Sequence, residues 1–302
     1  DDNLLLWAGG GPIDSRPIDD AVIRAAADLA GGHGRLYVYF DGAGSGRPSD
    51  EGVLRVTPDG SIEQVGLARG VGLAAFGRDL TAVGLGEDGV LALAYGPGDV
   101  QVRGFDWLDL GTGRLDEIDQ APFEVGAIGV VGRDEVLLGS AERGEIARVT
   151  PEGVETVVEG DFGAVKAIAP LDDGTVAFVA GDDGLFVADL VDGTASRVDT
   201  GDVQPVAAGS TGNVDMSGLP RRDRWPMAPI APAPGGRIVA VGEHEGHPRI
   251  TLVDPGTGEV EVLADLEGVV PTVEERVAAA VVGDDLFFLA EGSLWKKPGV
   301  VG

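Results

Sequence analysis

The sequence predicts an all-β chain folded as a six-bladed β-propeller. Three observations carry that expectation: a unit of short strands recurs six times along the 302 residues, its base period is about 40 residues, and each unit opens on a run of small residues. Four short strands per unit are what a blade requires. Strands nearest the axis of such a ring crowd one another, so Ala and Gly belong at the start of each unit.

The units follow in order. The first spans 22–67, with a small-residue strand at Ala25 to Leu29, a second strand at Gly34 to Asp41, a third from Gly52 and a fourth after the Pro58-Asp59-Gly60 turn. The stretch 18–27 also reads as an amphipathic helix, but alignment with the other units makes its second half an inner strand. The second unit spans 70–105, with Leu73 to Gly77 as its small first strand and a third strand from Gly89. The third (123–160) and fourth (163–201) are the clearest copies, with third strands from Gly144 and Gly184. The fifth spans 227–265, its third strand starting near Pro248. The sixth, 276–299, with a third strand near Gly292, stops one strand short. An unpaired edge there would invite aggregation, and Asn3 to Gly9 precedes the first unit where a fourth strand precedes every other. It is expected to complete the sixth blade and make residues 1–302 one domain. Between third and fourth strands, the Pro-Asp-Gly, Pro-Glu-Gly and Asp-Gly-Thr turns are hairpin chemistry.

Composition removes several functions. There are 51 acidic against 22 basic side chains, for a net charge of -29, and no cysteine. Such a surface repels nucleic acid and anionic membrane, and the lack of thiols excludes disulfides, thiolate metal sites and a catalytic cysteine. Aromatic residues at 5% do not make a base-stacking platform. No apolar run reaches the roughly 20 residues that span a bilayer. Hydrophobic residues at 43% still suffice for a core. Lysine occurs only three times, at 166, 296 and 297, so arginine supplies most of the positive charge.

The first unit carries a family resemblance. Trp7 to Gly10, Gly11 to Ala21, Ala25 to Leu29, Gly34-Arg35-Leu36-Tyr37-Val38-Tyr39-Phe40-Asp41 and Leu54-Arg55-Val56-Thr57-Pro58-Asp59-Gly60 resemble an NHL repeat. The Asn-x-Arg signature that usually follows the aspartate is absent, and the later units keep the general pattern alone. The resemblance implies a six-bladed ring outside the cytoplasm. Its members include protein-binding modules, sensor domains and some enzymes, so it does not choose a function.

Candidate site residues follow from topology. In a four-stranded meander the second-to-third connections and the links to the next blade emerge on one face. The long connections are all expected there: Asp41 to Glu51, Asp106 to Pro122, Asp202 to Pro226 and Leu266 to Glu275. Loops concentrate binding residues, which makes this the expected functional face. Its richest loop holds Arg221, Arg222, Arg224 and Trp225, a cationic and aromatic cluster suited to a carboxylate, a phosphate or a protein partner. Trp107 and Asp41 join it as candidate ligand or partner contacts. The structural alternative for the arginines is neutralisation of neighbouring acids such as Asp223.

A weaker reading is a divalent cation, calcium being the hard-cation choice, held by Asp106, Asp109, Glu124 and Asn213. It resembles the lactonase propellers, whose cation sits on Glu, Asn and Asp at the channel mouth. No DxDxDG-type loop is present, and no cofactor is expected firmly. His244 and His247 flank a Gly-containing hairpin and lack the helical spacing of a metalloprotease pair. No Ser/His/Asp or Cys/His constellation occurs. The expectation is therefore a non-catalytic ligand- or protein-binding sensor propeller, with a metal-dependent hydrolase or lyase as the alternative and a rigid spacer in a larger polypeptide as the third.

Overall fold

The structure is a computed structural model. It describes the backbone of residues 5–8, 26–32, 35–41, 51–56, 62–64, 80–86, 89–95, 104–109, 114–118, 121–171, 174–181, 184–200, 204–205, 230–244, 247–267, 278–290 and 293–301. Side chains are described at a few positions between 84 and 94, and throughout 121–171, 174–181, 184–200, 230–242, 248–267, 278–288 and 295–301.

Among the described residues the chain is all β, with one short 3-10 turn at Pro234–Gly236 and no α-helix. The strands are β1 (Leu5–Ala8), then β2 to β5 (Ala26–Gly32, Arg35–Asp41, Glu51–Val56, Ile62–Gln64) and β6 to β9 (Leu80–Leu85, Val90–Tyr95, Gly104–Asp109, Arg114–Ile118). Next come β10 to β13 (Val125–Gly132, Glu135–Ser140, Glu145–Thr150, Gly153–Glu159) and β14 to β17 (Val165–Pro170, Thr175–Ala180, Gly184–Asp189, Ala195–Arg197). Last are β18 (Gln204–Pro205), β19 (Ile230–Ala233), β20 to β22 (Arg237–His244, His247–Val253, Val260–Asp265) and β23 to β25 (Ala278–Val282, Asp285–Ala290, Ser293–Lys297). They pair as antiparallel meanders, β2 to β5, β6 to β9, β10 to β13, β14 to β17, the β18–β22 sheet, and β23-β24-β25-β1. In the last, Leu5 lies opposite Lys296 and Leu6 opposite Trp295. The first strands adjoin one another in the order β2, β6, β10, β14, β19, β23 and back to β2. This is a β-propeller arrangement.

The core lies between sheets. Ile128, Val136 and Leu138 pack toward β7, and Ile168, Val176 and Phe178 fill the next seam with Leu137 and Ile146. Ile230, Ile238 and Val253 fill the one after, followed by Leu252, Leu286 and Phe288. Small inner strands matter for a specific reason. A Cβ on Gly84 would come within 2.5 Å of Ile128 Cγ2, and one on Gly129 would overlap Ile168 Cγ2. Each of these glycines is the socket for an isoleucine on the next inner strand. Two turn glycines also require their left-handed backbone: Gly193 (φ 72°) and Gly258 (φ 74°), whose Cβ positions are closed by Val157 O and Asp199 O of the preceding sheet.

The second unit is displaced by one strand from its sequence-based expectation. Leu73 to Gly77, the expected first strand, lies outside the described residues; the described sheet begins at β6, its third strand is β8 from Gly104, and β9 extends it past residue 105. Gly104, Gly144 and Gly184 then recur at equal intervals of 40 residues. In a chain with 50 glycines a small-residue run does not discriminate, and the Gly84–Ile128 contact is what identifies the inner strand.

Candidate functional site

Four of the inner strands share a bulge. Their ladders skip one residue each, between Ala26 and Asp28, Leu80 and Ala82, Val125 and Ala127, and Val165 and Ala167. The extra residues, Ala27, Thr81, Gly126 and Lys166, stand at the same level, one step in from the end where the preceding sheet hands over. Packing shows the phase change. Val125 and Ile128 both face the seam toward β7, while Ala127 faces the seam toward β15. Bulges of this kind re-aim a side chain and gather near binding sites. The half-buried Lys166 occupies one of them.

The fifth sheet departs from the others at this same point. Val165 pairs with Ala180 and Ile168 with Phe178; correspondingly Pro205 pairs with Gly242 and Ile230 with Ala240. The Ile-Ala-Pro sequence repeats at 168–170 and 230–232. Where one sheet carries Lys166 and Ala167, the other therefore carries residues 206–229. The stretch expected as a linker from Asp202 to Pro226 therefore falls between two short strands, Gln204–Pro205 and Ile230–Ala233, that pair with the same partner β20, and residues 206–229 themselves lie outside the described residues.

The connections follow the meander rule. The strands that flank 9–25, 42–50, 65–79, 96–103, 206–229 and 268–277 end and resume on the face that bears the bulges, and these connecting residues lie outside the described ones. The opposite face has short links such as 133–134, 151–152 and 283–284. At the top of β11, the buried Ser140 Oγ accepts the Glu142 and Arg143 amides, each at 3.3 Å, and Arg143 Nε lies 2.6 Å from Glu145 Oε2. The turn is thus held by its own polar groups while Arg143 stays largely in solvent.

Several sequence candidates change place. Asp106, Trp107 and Asp109 do not lie in a loop: all three are in β8, with Asp106 opposite Leu93, Trp107 opposite Ala92 and Asp109 opposite Val90. Asp109 ends β8 at the short-link face, whereas Glu124 precedes β10 on the other face, so the backbone does not bring these two together. The sequence around Asp109, Asp-Leu-Gly-Thr-Gly, matches Asp254-Pro-Gly-Thr-Gly in the turn after β21. There Asp254 Oδ1 accepts the Gly256 and Thr257 amides at 2.8 and 3.0 Å. Asp189 does the same for Val191 and Asp192. Asp41 closes β3 opposite Glu51, at the start of 42–50. Arg221, Arg222, Arg224, Trp225 and Asn213 lie outside the described residues. His244 and His247 are register partners across the β20–β21 turn on the long-connection face.

Two carboxyls have displaced titrations, both on the short-link face. Asp192 is held below the ordinary aspartate value by the Thr194 hydroxyl and amide. Burial pushes Asp285 up, but the hydrogen bond from Lys296, the Gly299 amide and the Lys296 charge together bring it below the ordinary value. Among the described residues no group of three or more His, Asp or Glu is placed to hold a metal. No helix among them is long and apolar enough to cross a membrane.

Inner-strand bulges and meander order define the chain as a β-propeller, and solved structures agree on the fold. It is similar to the catalytically inactive histidine-to-alanine form of virginiamycin B lyase from Staphylococcus aureus with quinupristin (14% identity, 90% of this chain and 94% of that chain, TM-score 0.51). It is also similar to a structural genomics protein of unknown function from Bacteroides thetaiotaomicron VPI-5482 (11%, 97% and 75%, TM-score 0.55). A third likeness is to a chain of the nidogen/laminin complex (9%, 87% and 84%, TM-score 0.53). At these identities the likeness is one of fold. No protein-family model matches the chain, and no curated protein matches it in sequence.

Proposed function

We propose that the chain is a six-bladed ring, similar to NHL propellers, closed by its N-terminal strand, and that it acts as a non-catalytic module binding a protein or small ligand on the long-connection face. The insertion at 206–229 carries this reading: a propeller interrupts an inner strand, its most tightly packed element, at the level where four other blades bulge. The strands on either side of it belong to the inner position of their sheet, which supports a site near the inner strands. Its sequence brings Arg221, Arg222, Arg224 and Trp225, the compact cationic and aromatic group of a chain whose net charge is -29. Guanidinium forks and an indole are the side chains that anchor acidic or phosphorylated partners. Asp41 ends β3 at another connection on the same face. The same reading places the protein outside the cytoplasm, as the NHL-like resemblance implies.

The test is replacement of Arg221, Arg222 and Arg224 together by Ser, with matched circular dichroism and melting temperature. Immobilised wild type should retain a partner from extracellular fractions of the source cells that the triple variant loses. Equal retention by both would overturn the reading.

One observation favours a second reading, a metal-dependent lyase or hydrolase. His244 and His247 face each other in register at the top of the blade that carries the insertion, and the lyase of similar fold is named as inactive when a histidine is replaced. Asn213 and Glu124 are the further ligands this reading would draw on, with calcium as the hard-cation choice and Asp109 excluded by its place on the opposite face. Millimolar calcium, magnesium, zinc or manganese should then raise the melting temperature by several degrees, and an unmoved curve in all four removes this reading.

A further inference from the structure

After β25 the chain turns and runs back under the seam between the fifth and sixth blades. Residues Pro298–Val301 belong to no ladder, since β25 ends at Lys297. Gly299 (φ 65°) makes the turn and donates its amide to Asp285 Oδ1 at 2.9 Å. The Val300 and Val301 amides both point to Asp284 O, at 2.9 and 3.2 Å. From the fifth blade, Arg237 Nη2 donates to Val301 O at 2.8 Å while its Nε donates to Pro234 O. Val301 is fully buried in the apolar cluster that joins β20, β21 and β22 to β23 and β24, with Val300 packed on its edge. The two residues before the turn are two of the chain's three lysines. Lys297 Nζ crosses the seam to Leu263 O at 2.6 Å, and Lys296 Nζ holds Asp285 at 2.7 Å.

We propose that Pro298–Val301 is a detachable strap that locks the sixth blade to the fifth, and that the slot it fills is a peptide-accepting site specific for this extended Val-Val segment. Every sheet is complete without it, so it can leave with no strand–strand hydrogen bond broken. Four hydrogen bonds and the burial of Val301 hold it, against the ladders and seams that hold a whole blade, so its opening is a local event that costs less than opening a sheet. Its departure uncovers the cluster around Leu286 and Phe288 and frees Arg237, the first residue of β20, against which both pieces of the interrupted inner strand pair. The strap is therefore the gate through which the seam loosens, whether or not the opposite face binds a partner.

The experiment is truncation after Lys297 and rescue by the acetylated peptide Pro-Gly-Val-Val-Gly. The truncated chain should keep its β-sheet circular dichroism and melt about 5 to 10 °C lower. Millimolar peptide should restore at least half of the loss, whereas a peptide with both valines replaced by Asp should restore none. An unchanged melting temperature, or a loss the peptide does not reverse, overturns the proposal. Should the truncated chain not fold, Arg237→Gln in the full chain decides by hydrogen exchange. Val300 and Val301 amides exchanging at least tenfold faster, with β25 unchanged, support the strap; β25 exchanging with them, or neither changing, overturns it.

Discussion

The Gly129–Ile168 contact offers a test of how the blades hold one another. A Cβ on Gly129 would overlap Ile168 Cγ2 and stand 3.2 Å from Pro170 Cδ, so Gly129→Ala forces two neighbours apart. Overpacking of this kind costs about 1–3 kcal/mol. Ile168 is 5% exposed, and Ile168→Ala removes three carbons from the third seam, for a loss of about 2–4 kcal/mol including the cavity. In the double variant the new methyl enters the space the isoleucine has vacated. The two losses should then fall short of their sum by about 1–2 kcal/mol, well beyond the roughly 0.5 kcal/mol scatter of independent sites. Urea unfolding of wild type, both single variants and the double variant measures this, provided the slope with denaturant is common to all four. Additivity within about 0.5 kcal/mol would refute the socket, because the methyl and the isoleucine would not then be competing for one space.

Other consequences are checked with standard measurements. Asp285 titrates below its unfolded value in the native protein, so its contribution is complete above an unfolded pKa near 4 and is lost as pH falls through the lower native value. Asp285→Asn should melt below wild type at pH 7 and converge with it as pH falls through the lowered native value; a gap that persists in strong acid would contradict the Lys296 and Gly299 contacts. Asp254→Ala removes the acceptor of two turn amides and should cost about 0.5–2 kcal/mol, and Asp109→Ala should cost the same, with calcium making no difference to either. A calcium-dependent effect at Asp109 alone would restore it as a ligand. With a net charge of -29, the melting temperature should rise between 0.05 and 1 M sodium chloride as self-repulsion is screened, and a flat response would show that the charge is locally compensated.

Much of the architecture is legible in the amino-acid order because a repeat averages over local ambiguity. In the third and fourth units Gly144 and Gly184 mark where the third strands begin, beside Glu145–Thr150 and Gly184–Asp189, and Pro151-Glu152-Gly153 and Asp192-Gly193 mark the turns that follow them. The second unit reads one strand early. Leu73 to Gly77 and β6 are equally small, and composition cannot say which of two small strands lies at the axis. The site was legible as loops and charges, and less so as positions. A turn aspartate and a metal-binding aspartate are the same side chain, so residue type leaves both roles open for Asp109; its Asp-x-Gly-Thr-Gly context, shared with Asp254, is the signal that favours the turn. The Ile-Ala-Pro pair at 168–170 and 230–232 is likewise the signal that Ile230–Ala233 holds an inner-strand position.

By itself, then, the sequence determined the all-β class, the repeated blade, the hairpin turns and the net charge of -29. These are properties of short windows and of sums, for which period, turn chemistry and net charge are sufficient. The tertiary structure alone decided which strands are innermost, that four of them bulge at a common level, that the short strands on either side of 206–229 share the partner β20, and that Val301 closes the seam between two blades. Each of those depends on contacts between residues far apart in the chain, such as Gly129 with Ile168 and Arg237 with Val301. Such pairs carry no local period, and their energy exists only once the sheets are packed.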